Sequence, residues 1–239
     1  MTTVLRNRTT LRSDLGVMQR EAGMAMATIA SLTDTELARP SGCDGWTRAH
    51  VIAHLTRDAD AMTRLATWAV TGEETPDYAS PEERDAGIRE TAELPAAQLA
   101  AGLERADARL VTALRALGNG VRVETVPTLV AGEIDVFSLP ARRTTELIVH
   151  HGDLGTTWKL HEAGPDAMVD GIEVCVDRLQ AHPDGPGLQV VAREGEEWTV
   201  GDGGYRIEGY YETLLPFLAR GRADDGLRHE GELPRLPAW

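Results

Sequence analysis

In the stretch ELIVHHGDLG (146–155), Glu146 and His150 stand four residues apart. On an α-helix that spacing puts the two side chains one above the other on a single face. A carboxylate and a neutral imidazole so placed can reach one ion. Both are ligands that zinc accepts, and a catalytic zinc site keeps three protein ligands with a further position open for water or substrate. His54, on a mostly apolar helical face elsewhere in the chain, is the natural third ligand. Two histidines and a carboxylate also suit iron, nickel or manganese, so the residues imply a divalent ion rather than zinc alone. Spacing by itself equally describes a surface Glu–His pair and an ordinary core histidine, and both readings stay open on spacing.

Neighbouring residues sort around this set. His151 is one residue on, about 100° around a helix, and is the weaker ligand candidate. Asp153 follows His150 by three and Asp58 follows His54 by four; each is placed to orient a ligand histidine, or to serve as a solvated or capping acid. Cys43 and Cys175 are the two cysteines, far apart and without C-x-x-C spacing, which excludes a disulfide framework. Cys43, in RPSGCDGW, is read as a buried, inert thiol without a catalytic role.

The elements that must carry these residues follow from periodicity. Leu11, Leu15, Met18, Ala22, Met26, Ile29 and Leu32 recur at helical intervals and predict a first long helix. Pro40, Gly42 and Gly45 interrupt the chain, and Thr47 is placed to cap a second helix running to about Thr71. On it Val51, His54, Leu55, Asp58, Met62 and Leu65 share or border one stripe. GEETPDYASPEER (72–84) reads as a polar loop, and a third helix spans Leu94 to Leu117. VRVETVPTLVAGEIDVFSLP (121–140) is β-branched but broken by proline and glycine, which suits an irregular connection or a short hairpin. A fourth helix is expected from Pro140 to about Leu160. Four such helices imply an antiparallel bundle, in which metal sites are built from inward-facing side chains.

Beyond Gly164 the pattern changes to a helix over Asp166 to Gln180, strand-like runs LQVVAR (188–193) and EWTVGDGGYRIEG (197–209), and a helix in YYETLLPFLARG (210–221), with LRHEGELPRLPAW (227–239) able to add a strand. The expected organisation is α+β: a bundle over 1–163 and a small α+β domain over 164–239.

With 239 residues and 42% hydrophobic content, only 5% of residues being aromatic, the composition is that of a helix-rich globular protein. A formal charge of −14, from 38 acidic and 24 basic residues, excludes nucleic acid as an expected partner. No run approaches the roughly 18 apolar residues of a membrane span, and MTTVLRNRTTLRSDLG has no apolar targeting core, so a cytoplasmic location is expected.

Four segments, SGCDGWTRAHVIAH (41–54), TGEETP (71–76), ELIVHHGDLG (146–155) and ARGRADDGL (219–227), carry a resemblance to the mycothiol-dependent maleylpyruvate isomerase family, a branch of the DinB-like metal-binding superfamily. The resemblance spans nearly the whole chain and implies a DinB-like four-helix bundle with a small C-terminal α+β domain. It places the family's His, Glu, His ligand set on His54, Glu146 and His150. It further implies a zinc ion whose open site takes the thiolate of mycothiol, and the conversion of maleylpyruvate to fumarylpyruvate. The thiolate would add to the cis double bond, the resulting single bond would rotate, and elimination would return the trans isomer.

A dianionic substrate in an acidic protein needs local cations. Arg84 and Arg222 are the candidates for its carboxylates, each otherwise a surface arginine. The rival readings are a mycothiol S-transferase acting on another electrophile, a non-catalytic metal-binding regulator, and a metal-dependent hydrolase. The residues leave a monomer or a homodimer equally open.

Overall fold

A computed structural model describes residues 6–237; residues 1–5 and the last two positions of the expected C-terminal strand segment, 238–239, lie outside the described residues. The chain divides into two compact units, one spanning Arg6–Lys159 and the other, among the described residues, 160–237.

In the first unit the four long periodic segments are helices: α1 (Leu11–Ala30), α3 (Arg48–Thr71), α5 (Ala96–Leu117) and α6 (Leu139–Asp153), with a single short turn of helix, α2 (Asp34–Leu37), after the first. Their apolar stripes meet in one core, where Met18, Ile52, Leu55, Leu103, Leu110, Leu114, Leu139 and Leu147 are buried; α3 packs chiefly on α5 and α1 on α6. The start of α3 is fixed by Thr47, whose hydroxyl lies 2.8 Å from His50 Nδ1 while its own N–H donates to the same nitrogen at 3.4 Å. Its end is Gly72, at φ 76°, a left-handed conformation that glycine adopts without steric cost.

Two expectations are corrected here. The segment read as a loop, 72–84, runs at its end into α4 (Pro81–Ala92), opened by Ser80, whose hydroxyl accepts from the Glu83 N–H, and by Pro81 in the first turn. The fourth long helix stops at Asp153 rather than near Leu160, because Gly155 turns to φ 60° and carries the chain away. Between α5 and α6 the β-branched stretch is a hairpin of β1 (Thr125–Thr128) and β2 (Gly132–Asp135), with Val126 opposite Ile134 and both buried.

The second unit holds α7 (Pro165–Ala181), α8 (Tyr211–Arg220) and a sheet of β3 (Leu188–Ala192), β4 (Glu197–Val200), β5 (Tyr205–Gly209) and β6 (Arg228–His229), ordered β4-β3-β5-β6. β3 and β5 run parallel, with Val190 beside Ile207, and the outer pairings are antiparallel. α8 packs on α7 and on β3 and β5. The overall class is α+β, mostly helical with a small sheet-containing C-terminal part.

One charged residue stands in the middle of the bundle. Arg143 of α6 is fully buried, at 0% exposure. Its guanidinium donates to the Leu55 carbonyl and to Asp58 Oδ2, both at 2.9 Å, and to Asp107 Oδ1 at 3.4 Å. It thereby ties α6 to α3 and α5. Breaking a buried pair leaves charge without compensation, so Arg143→Met is expected to lower unfolding free energy by about 3–5 kcal/mol, read from urea denaturation midpoints.

Candidate metal centre

His54 on α3 and Glu146 and His150 on α6 come together at one point. Glu146 Oε2 lies 2.9 Å from His54 Nε2 and 3.4 Å from His150 Nε2. The two imidazoles meet edge to face, with ring centroids 4.6 Å apart. Donor atoms bound at about 2.0–2.2 Å to one tetrahedral ion are about 3.3–3.6 Å apart, so the three side chains need only slight adjustment to share one. All three groups offer donor atoms within 4.8 Å of one another. The histidines are nearly inaccessible, at 7% and 4% exposure. Glu146 is the open side of the cluster, its side chain 16% exposed.

The electrostatics separate the two histidines. Burial is the largest influence on His54 and pushes it down to about 4, against the opposing pull of Glu146, so this imidazole is neutral. Burial acts in the same direction on His150, but its hydrogen bonds with Asp153, Cys43 and Glu146 outweigh it and hold the ring well above the ordinary histidine range. For Glu146, burial is opposed and overcome by both histidines, which keep its carboxyl well below the usual carboxylate range. An anionic carboxylate beside a cationic ring is the arrangement a divalent ion would take over, with neutral imidazoles and a carboxylate as its ligands.

The flanking residues take distinct places. His151 turns away from the cluster, stacked on Trp158 with centroids 3.9 Å apart and its Nε2 2.8 Å from the Thr28 hydroxyl. Asp58 does not orient His54; its carboxylate receives Arg143, because α6 delivers a stronger donor to that spot than α3 itself offers. Burial, then the charge of Glu146, raise the Asp58 carboxyl to about 7 against the pull of Arg143. Asp153 does meet a ligand histidine, His150 Nδ1 at 3.1 Å. Cys43 is half-buried rather than sunk in the core, its thiol donating to Asp153 Oδ2 at 3.2 Å.

Arg84 lies in α4, not in a loop as expected, and pairs with Asp85 at 2.9 Å. Its charge is felt at both His54 and Tyr78, which sets it in the neighbourhood of the cluster. Arg222 belongs to the second unit, exposed just past Gly221 at the end of α8. Three contributors were not anticipated. Arg143 sits on the same helical face as Glu146 and His150, a signal available in the spacing. Trp46 places its ring 5.6 Å from that of His54. Tyr78, held protonated by burial, sits in the combined field of Asp58, Arg84, Arg57 and Glu146. No local pattern announces either aromatic.

Residues 19–155 match the family described as the mycothiol maleylpyruvate isomerase N-terminal domain, over half of the chain. The chain belongs to this family. The match runs from within α1 to just past α6 and so contains His54, Arg84, Glu146 and His150, whereas Arg222 lies beyond it. Two solved structures are similar over both units. One is the mycothiol-dependent maleylpyruvate isomerase, at 26% identity and a TM-score of 0.83; the other is a histidine-to-alanine mutant of the mycothiol-dependent maleylpyruvate isomerase, at 25% and 0.82. Each likeness covers 96% of this chain and 97% of the other. These relatives are enzymes, and the family is an enzyme family. No curated protein matches the chain.

The geometry distinguishes the tandem histidines by experiment. His150→Ala is expected to lower metal content well below one ion per chain, whereas His151→Ala leaves it unchanged and lowers the melting temperature instead. Elemental analysis and thermal melts of the two purified variants read both outcomes.

Proposed function

We propose that this chain is a divalent-metal-dependent and mycothiol-dependent isomerase that converts maleylpyruvate to fumarylpyruvate in the cytoplasm. The observation that carries the reading is the convergence of His54, Glu146 and His150 from two helices on one partly open point. The donor set suits zinc, which would lower the pKa of a thiol so that it is a nucleophile at neutral pH, ready for reversible addition to the cis double bond.

The chain's own residues account for the rest. His54, Glu146 and His150 would hold the ion. The protein thiol nearest the cluster, Cys43, faces the Nδ1 side of His150, while the ligand atoms gather on the Nε2 side. A nucleophile arriving from outside therefore matches the site better than Cys43 does. Trp46 packs its ring 5.6 Å from that of His54, which is itself buried. Arg84, whose charge acts on His54, is the candidate for a substrate carboxylate.

Zinc content and turnover test this directly. His54→Ala is expected to lose both stoichiometric zinc and activity; a variant that retains one zinc per chain would refute the assignment. Incubating the zinc-loaded protein with mycothiol and maleylpyruvate is expected to yield the trans isomer with all thiol recovered. Thiol consumed in proportion to substrate would instead establish an S-transferase on the same site. Arg84→Ala is expected to raise KM for maleylpyruvate at least tenfold with zinc content unchanged, equivalent to about 1.4 kcal/mol per tenfold.

A further inference from the structure

The two histidines of the cluster are held very differently. His54 Nδ1 is buried and makes no hydrogen bond among the described residues, whereas His150 Nδ1 faces the Asp153 carboxylate at 3.1 Å. Asp153 is in turn engaged by the loop between α2 and α3. Cys43 donates its thiol proton to the same Oδ2 at 3.2 Å, and the Gly42 N–H donates to the Asp153 backbone carbonyl at 2.7 Å. The approach at Gly42 is close enough that a Cβ there would fall 2.7 Å from Asp153 Oδ1 and 3.1 Å from its Cα. The glycine is therefore required by contact, not by backbone conformation.

We propose that Asp153 is a positioning residue for the metal centre: its carboxylate holds the proton of His150 on Nδ1 and so aims the Nε2 lone pair at the point shared with Glu146 and His54, while the Gly42–Cys43 loop holds Asp153 in place. The inference rests on the metal reading of that cluster. It adds that the site is anchored through His150, with His54 as the less constrained ligand. A carboxylate behind a ligand imidazole fixes the ring's tautomer and orientation and raises its basicity. The thiol matters here as a hydrogen-bond donor to the carboxylate rather than as a nucleophile.

The same atoms admit one competing arrangement. Cys43 Sγ, His150 Nδ1 and Asp153 Oδ2 lie within 4.8 Å of one another and could hold an ion of their own. Ligation there would take His150 Nδ1 away from Asp153 and leave no proton to position. The two arrangements differ in stoichiometry.

Zinc affinity is measured by competition with a chromophoric chelator on wild type, Asp153→Ala, Asp153→Asn and Cys43→Ser, with stoichiometry by elemental analysis and circular dichroism as the check on folding. One zinc per wild-type chain is the requirement of the functional proposal, and its failure would be seen in wild type alone. Given that ion, Asp153→Ala is expected to bind about 10–100-fold more weakly. Asp153→Asn keeps the shape and an oxygen acceptor for the Nδ1 proton and is expected to recover most of the loss. Nitrogen NMR of the zinc-loaded protein is expected to show His150 protonated at Nδ1. Wild-type affinity in Asp153→Ala, or Asp153→Asn as weak as Asp153→Ala, overturns the inference. So do two ions in wild type falling to one in both Cys43→Ser and Asp153→Asn.

Discussion

A guanidinium in the middle of the bundle is the constraint around which the first unit is arranged. Arg143 has no access to solvent, so its charge must be met inside the protein, and Asp58, Asp107 and the Leu55 carbonyl meet it from two other helices. Because the desolvation of a buried ion is so costly, these partners have little freedom to drift. α6 is consequently held in register and rotation against α3, and Glu146 and His150 share its inward face. The convergence of His54 with that pair follows from the same restraint. The small apolar side chains at the contacts, many of them alanines, let the helices approach closely but specify their rotation less sharply than the ion network does.

Charge organises the surroundings in a graded way. Asp58 is raised to about 7 first by burial and then by the anion of Glu146, against the pull of the Arg143 cation. Glu146 stays ionised because two histidines face it. Positive charge near the cluster comes from Arg84 on α4 and, in the core, from the fully paired Arg143, while the bulk of the carboxylates are on the surface.

Much of this was legible in the residues, and the exceptions have physical reasons. The four long helices announce themselves through apolar stripes such as Leu99, Leu103, Leu110 and Leu114, which are buried as the spacing requires. α4 was invisible to that criterion because Ile88 is its sole buried residue; propensity and the Ser80–Pro81 start make it a helix, not a hydrophobic face. The end of α6 was misplaced because apolar residues continue past Asp153, and the left-handed Gly155 is a backbone event that periodicity does not register. The i, i+4 spacing located Glu146 and His150 on one face but could not say which helix would answer Asp58. Spacing along one helix lists its possible partners and is blind to a better donor on another. The half-burial of Cys43 goes unread for the same reason, since its environment is made by Asp153, 110 residues away.

The cluster also joins positions 92 residues apart, His54 and Glu146, and the chain between them runs through α4, α5 and the β1–β2 hairpin. Closing a loop of that size depends only logarithmically on its length. Ten further residues in the 72–80 loop or at the hairpin tip would add about 0.1 kcal/mol of closure cost. One residue inserted between Arg143 and Asp153 would instead rotate everything beyond it by about 100° and swing either the ligands or their anchor out of line. Tolerance to length change in this fold is therefore sharply divided, wide in the connections and almost nil within about three turns of a single helix.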